Sequence, residues 1–100
     1  MASPTKTVHR HVVPVDDKVH WIPLTGNPCA VAAARMWGDL VVEFWVEHQG
    51  DETAIRRAFQ VFGTGHPIPG SAKWYGTTAR LEGMVWHLFE VYDAKETNDA

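Results

Sequence analysis

One cysteine, Cys29, is all the sulfhydryl chemistry in this 100-residue chain. An internal disulfide is therefore excluded, and so is a zinc site built on several cysteines. Cys29 itself is expected as a small buried apolar side chain. Basic residues are also scarce: nine Lys and Arg stand against twelve Asp and Glu, for a formal charge of −3. They are scattered, with Arg56-Arg57 the densest pair. A nucleic-acid backbone needs a clustered cationic footprint, so nucleic acid is not an expected partner. No apolar run approaches the ~18 residues of a membrane span, and no membrane partner is expected. The opening Met1-Ala2-Ser3-Pro4-Thr5-Lys6 lacks the apolar stretch of a secretory signal, so a cytoplasmic location is expected. Serine is confined to Ser3 and Ser71, and neither lies in a nucleophile motif.

Apolar side chains are not scarce. Hydrophobic residues make up 45% of the chain, and five are tryptophan. A chain this short forms one domain with a modest core, so a few tryptophans, each able to bury ~150–250 Å², can supply much of it. Tryptophan is equally a residue of interface hot spots.

Short apolar runs recur about every ten residues between turn-forming residues, the rhythm of an all-β sandwich or barrel. Six to seven mainly antiparallel strands are expected in a single domain over residues 7–93, with disordered ends at 1–6 and 94–100. The clearest strand is 40–47. There Leu40, Val42, Phe44 and Val46 share one face, and Glu43 and Glu47 the other. Trp37-Gly38-Asp39-Leu40 supplies a tight turn before it, with glycine expected at the hairpin's first central position. Residues 29–36 should then be the hairpin partner. Propensity alone favours a helix there, because Asn27-Pro28 suits a cap and Gly38 a stop. The hairpin geometry favours a strand, and a strand is expected. Further strands are expected at 7–13, 18–24, 54–62, 73–81 and 84–92. Asp16-Asp17 should turn the first pair and Glu82-Gly83 the last. The 84–92 segment is apolar on both faces and should lie centrally.

Three features bear on chemistry. The longest irregular stretch is Gly63-Thr64-Gly65-His66-Pro67-Ile68-Pro69-Gly70. Its glycines permit positive φ and close backbone approach, and its prolines stiffen the second half of the loop. Such a loop can present backbone N–H groups to an anion, with Thr64 and His66 as further donors. It can equally be a rigid crossover between sheets. It is not a P-loop, since the closing Lys-Ser/Thr is missing. The second feature is His9-Arg10-His11, whose imidazoles share a strand face; a metal ion would need His20 as third ligand across the first hairpin. No metal or cofactor is expected. The third is His87, a core residue or a general base, and with no nucleophile motif beside it no catalytic residue is assigned.

The glycine loop, followed by Tyr75-Gly76-Thr77 and Gly83-Met84-Val85-Trp86-His87-Leu88-Phe89-Glu90, makes a specific combination. It resembles a family of small uncharacterised proteins encoded by actinobacterial phages and their hosts. The likeness runs over residues 8–91 and is strongest from Val61 onward. The alanine-rich 29–36 segment and the five tryptophans depart from that family's pattern. The resemblance implies a compact β fold, a bacterial host cytoplasm and no particular activity. The function expected is non-enzymatic binding of a host macromolecule, or self-association. The alternatives are a nucleotide-like small anionic ligand held at the glycine loop, and a histidine-dependent hydrolase. Candidate binding residues are Gly63, Thr64, Gly65, His66, Trp45, Trp74 and Tyr75. Trp45 is included because it interrupts the otherwise acidic face of its strand, and Trp74 and Tyr75 because they come just after the loop.

Overall fold

Seven strands and, among the described residues, no helix make up the fold; a computed structural model describes residues 5–94. The strands are β1 (Lys6–Pro14), β2 (His20–Leu24), β3 (Pro28–Met36), β4 (Asp39–Gln49), β5 (Ile55–Gly63), β6 (Lys73–Thr77) and β7 (Trp86–Glu90). They form two antiparallel sheets, one of order β1-β4-β3 and one of order β2-β5-β7-β6. The sheets stack without closing into a barrel, so the domain is an all-β sandwich.

The alternation in β4 places Val42, Phe44 and Val46 inside, fully buried. They meet Val13 of β1, Leu24 of β2, Phe59 and Val61 of β5 and Leu88 of β7 in one cluster. The Phe44 and Phe59 rings meet across the two sheets, centroids 5.3 Å apart. Glu43 and Glu47 face outward and pair with Arg10 and Lys6 of the neighbouring strand, at 2.6 and 3.1 Å. Residues 28–36 form a strand despite their helix formers, because β4 offers them a full antiparallel partner and the burial that goes with it. β7 lies between β5 and β6, as its two apolar faces require.

One largely buried ion pair braces the four-stranded sheet, and its arginine reaches across to the other. Arg57 of β5 forks Glu90 of β7, with Nε and Nη2 each 2.8 Å from a carboxylate oxygen. Its Nη1 and Nη2 also donate to the Gly26 carbonyl and the Asn27 side-chain oxygen, just ahead of β3 in the other sheet. A β-bulge between Trp74 and Gly76 turns Tyr75 inward, where its hydroxyl accepts from Arg57 Nη2 and donates to Glu90. Gly76 is needed for packing, since a Cβ there would come within 2.7 Å of Val31 on β3.

The structure corrects several expectations. Asp16-Asp17 does not turn a hairpin: β1 pairs with β4 and β2 with β5, so these residues cross between sheets. Pro14 ends the first strand, and Asp16 caps the crossover by accepting from the Lys18 N–H and bonding His20. At the β3–β4 hairpin, Trp37 (φ 53°) is the first central residue and Gly38 (φ 87°) the second, a type I′ turn. Glu82 (φ 52°) and Gly83 (φ 80°) make the same turn between Leu81 and Met84, as expected of that pair. Cys29 is exposed, because a bulge between Pro28 and Ala30 turns it out of the ladder. Of the expected disordered ends, residues 1–4 and 95–100 lie outside the described residues. Lys6 already pairs with Gln49, and Ala94 packs beside Ala58, Phe62 and Val91.

Candidate functional site

The four-stranded sheet is apolar on both faces. Its outer face carries Ala58 and Phe62 of β5, Phe89 of β7 and the adjoining Val91, with Trp21 and Ala72 packed around them. Residues 64–72 leave β5 and fold back over the edge of this outer face. Gly63 to His66 closes as a β-turn, with His66 N–H donating to the Gly63 carbonyl at 3.2 Å. Gly65 takes the third position at φ +87°, the geometry of a type II turn. Gly63 is constrained by space: a Cβ would lie 3.1 Å from the His66 ring and 3.3 Å from Trp86.

This turn separates two clefts. The first, of about 360 Å³, is lined by Gly63, Thr64, Gly65, Ile68, Trp74, Thr77, His87 and Phe89. Ile68 and Phe89 make it apolar, and Trp74, 59% exposed, stands at its side. Its polar groups form one chain. The Trp74 indole N–H donates to Thr77 Oγ1 at 3.1 Å, Thr77 Oγ1 is 2.8 Å from His87 Nδ1, and His87 Nε2 is 2.8 Å from Thr64 Oγ1. A neutral imidazole donates from one nitrogen and accepts at the other, so one threonine receives a proton from the ring and the other supplies one. The chain immobilises both the indole and the Thr64 hydroxyl. The second cleft, of about 390 Å³, lies on the other side of Gly63 and Thr64, towards His66, Arg80, Met84 and Trp86.

A hydroxyl 2.8 Å from an imidazole nitrogen matches a nucleophile–base pair in distance. Behind His87, however, stands Thr77, itself an acceptor from Trp74, and the cleft lining contains no carboxylate to stabilise an imidazolium. The arrangement suits hydrogen bonding to a ligand better than proton transfer.

Of the residues expected to bind, the structure brings Gly63, Thr64, Gly65, His66 and Trp74 to these two clefts. Tyr75 is on the inner face with Arg57 and Glu90, and Trp45 is half-buried on the other sheet, beside Arg10 and Ala30 in register. Sequence reasoning missed Thr77, Phe89 and Arg80 as lining residues. Thr77 and Phe89 become legible once the β6–β7 register is known, since they pair with His87 and Trp74. Arg80 lies in the irregular link between those strands and carries no periodic signal.

His20 does not join His9 and His11. Their neighbour is His48 of β4, which shares the inner face of its sheet beyond the core. His9 and His48 stack at 4.2 Å, and His11 Nε2 is 3.2 Å from His48 Nε2. His9 Nε2 meets the Thr7 hydroxyl instead, at 2.9 Å. Among the described residues, no set of three His, Cys, Asp or Glu side chains is placed to hold a metal ion. Nor is any helix there long and apolar enough to cross a membrane.

Fold and site together define a small antiparallel β-sandwich with paired surface clefts beside a glycine-rich turn. Residues 4–99 match the family model described as a domain of unknown function, DUF7352, and the chain belongs to that family. No curated protein and no solved structure matches the chain.

Proposed function

We propose that this chain is a non-catalytic binding module whose cleft between Trp74 and the glycine turn takes a small planar ligand. The observation that carries this reading is an exposed indole, its N–H fixed on Thr77, beside an apolar cleft whose Thr64 hydroxyl is held by His87. Binding sites for small molecules combine such apolar walls with few, fixed polar groups. Stacking on an aromatic wall is worth about 1–3 kcal/mol per base-like ring. Adenosine and indole are suitable probes. Each should give saturable quenching of tryptophan fluorescence, abolished in Trp74→Ala, with an unchanged melting temperature. Undiminished binding to Trp74→Ala would end this reading.

A second reading, binding of a partner protein or a second copy, is favoured by one observation. Trp37 is 96% exposed at the β3–β4 hairpin tip, and Met84, 39% exposed, belongs to the other type I′ tip. Arg35 joins the two tips, donating to Glu82 and to the Gly38 carbonyl. A Trp37→Ser protein that keeps its light-scattering mass and its partners would remove this reading.

A further inference from the structure

The second cleft differs from the first in what its wall can donate. Arg80 lines it and makes no hydrogen bond or ion pair among the described residues, and the same holds for the His66 imidazole. Trp86 lines it too, and its indole N–H is sealed from solvent with no partner. An acceptor reaches that N–H only if the ring tilts towards the cleft, so Arg80 and His66 are the primary donors. No carboxylate is among the lining residues. The nearest in sequence, Glu82, is held by Arg35 at 2.6 Å. In a chain with net charge −3, a wall that carries a guanidinium and no carboxylate is a local feature. Gly63 and Thr64 line both clefts, so a ligand in the apolar one can reach across the turn into the other.

From this we infer that the second cleft is an anion subsite, and that the ligand is a planar ring bearing a phosphate or carboxylate. The inference rests on the reading that the first cleft takes a planar ring. The ring stacks on Trp74 over Ile68 and Phe89, with Thr64 hydrogen-bonded to its edge. The anionic group lies against the Arg80 guanidinium, whose fork matches either oxyanion. His66 adds an N–H, and binding weakens with salt because the contact is at the surface.

Two probe pairs test this: adenosine monophosphate against adenosine, and indole acetate against indole. Affinity is read by titration, and the Trp74 and Trp86 indole N–H resonances by proton–nitrogen correlation spectra. The charged member of at least one pair should bind about tenfold tighter at low salt and shift both indole resonances. The neutral member should shift Trp74 alone. Arg80→Gln should remove the tenfold advantage and leave neutral binding unchanged. A preference confined to one pair identifies phosphate or carboxylate. Equal binding of charged and neutral members, lost in Trp74→Ala, would overturn the anion subsite and leave the apolar cleft standing. So would an advantage that survives in Arg80→Gln. If no probe binds, or none moves the Trp74 resonance, both readings fall together.

Discussion

His11 Nε2 lies 3.2 Å from His48 Nε2, across two strands and at the end of the sandwich where the core gives out. His9 stacks on His48, Phe44 stacks on His11, and the Thr7 and Thr25 hydroxyls bond His9 and His48. No carboxylate is among these contacts; Glu47 faces the other way, paired with Lys6. Burial, then the charges of the neighbouring imidazoles, lowers the pKa of His11 and His48 below the ordinary 6.5. The unfolded chain thus takes up protons more readily than the folded one. This contribution to stability is complete above pH 6.5 and is lost as pH falls from there through the folded values. Urea midpoints should fall between pH 7 and pH 5, by a fraction of the ~1.4 kcal/mol per pH unit that one whole proton gives. Solvent screening of the part-exposed rings keeps it a fraction. His48→Gln should flatten the profile; an unchanged slope would show that the cluster is not the cause.

Gly65 and His66 divide the work of the loop between backbone and side chain. Gly65→Ala places a Cβ at φ +87° with nothing within 4 Å, so the cost is conformational, about 1–2 kcal/mol. Gly63→Ala brings a Cβ to 3.1 Å from the His66 ring and 3.3 Å from Trp86, so its cost is set by whether those rings give by a few tenths of an ångström, and it should be smaller in a His66→Ala background. The turn's hydrogen bond belongs to the His66 backbone, so His66→Ala should leave the melting temperature within a degree or two. A large loss in His66→Ala would show that the imidazole is a structural brace.

The strands were legible where side-chain period and burial agree. In β4 the Val42-Phe44-Val46 face is buried, and β7 shows its central place through apolar residues on both sides. Pairing was less legible. Asp16-Asp17 has good hairpin chemistry, but β1 pairs with β4, from Pro14↔Val41 to Lys6↔Gln49, and local turn preference says nothing about that. The same non-local pairing brings His48, rather than His20, to His9 and His11. Within the site, Trp74 and Thr64 follow from the loop, whereas Tyr75 is lost to the inner face by a one-residue bulge that no local signal marks.

Trp37 is held at φ 53° with 96% of its surface exposed. A left-handed conformation is costly for a large side chain, and here no burial offsets it. Asparagine followed by glycine is the favoured pair for a type I′ turn. Trp37→Asn should therefore raise stability by about 1 kcal/mol, read as a higher urea midpoint. A decrease would show that the indole packs on the neighbouring tip in solution.

Arg57 and Glu90 should be the most sensitive pair in the domain. Glu90 is 6% exposed, and burial by itself raises its pKa. Arg57's hydrogen bonds and charge, with the hydroxyls of Tyr92 and Tyr75, outweigh that and leave the carboxyl below its usual 4.5. A depressed carboxyl pKa gives stability that is present above the unfolded value and is lost as pH falls through the folded one. The acid limb of the stability profile should therefore extend below pH 4.5, and Glu90→Gln should shorten it. At neutral pH, Glu90→Gln leaves the part-buried guanidinium without its counter-charge, which costs at most the ~3–5 kcal/mol of a fully buried broken pair. Arg57→Met costs a similar amount, and in addition strips the Gly26 carbonyl of its Arg57 donor and leaves Asn27 Oδ1 only the longer bond from the Tyr75 hydroxyl. In the double variant the two losses should not add, because each single change already leaves the other charge unpaired. It should still be less stable than the wild type, since the Gly26 carbonyl remains without its donor. Additive losses in that cycle would show that Arg57 and Glu90 act separately.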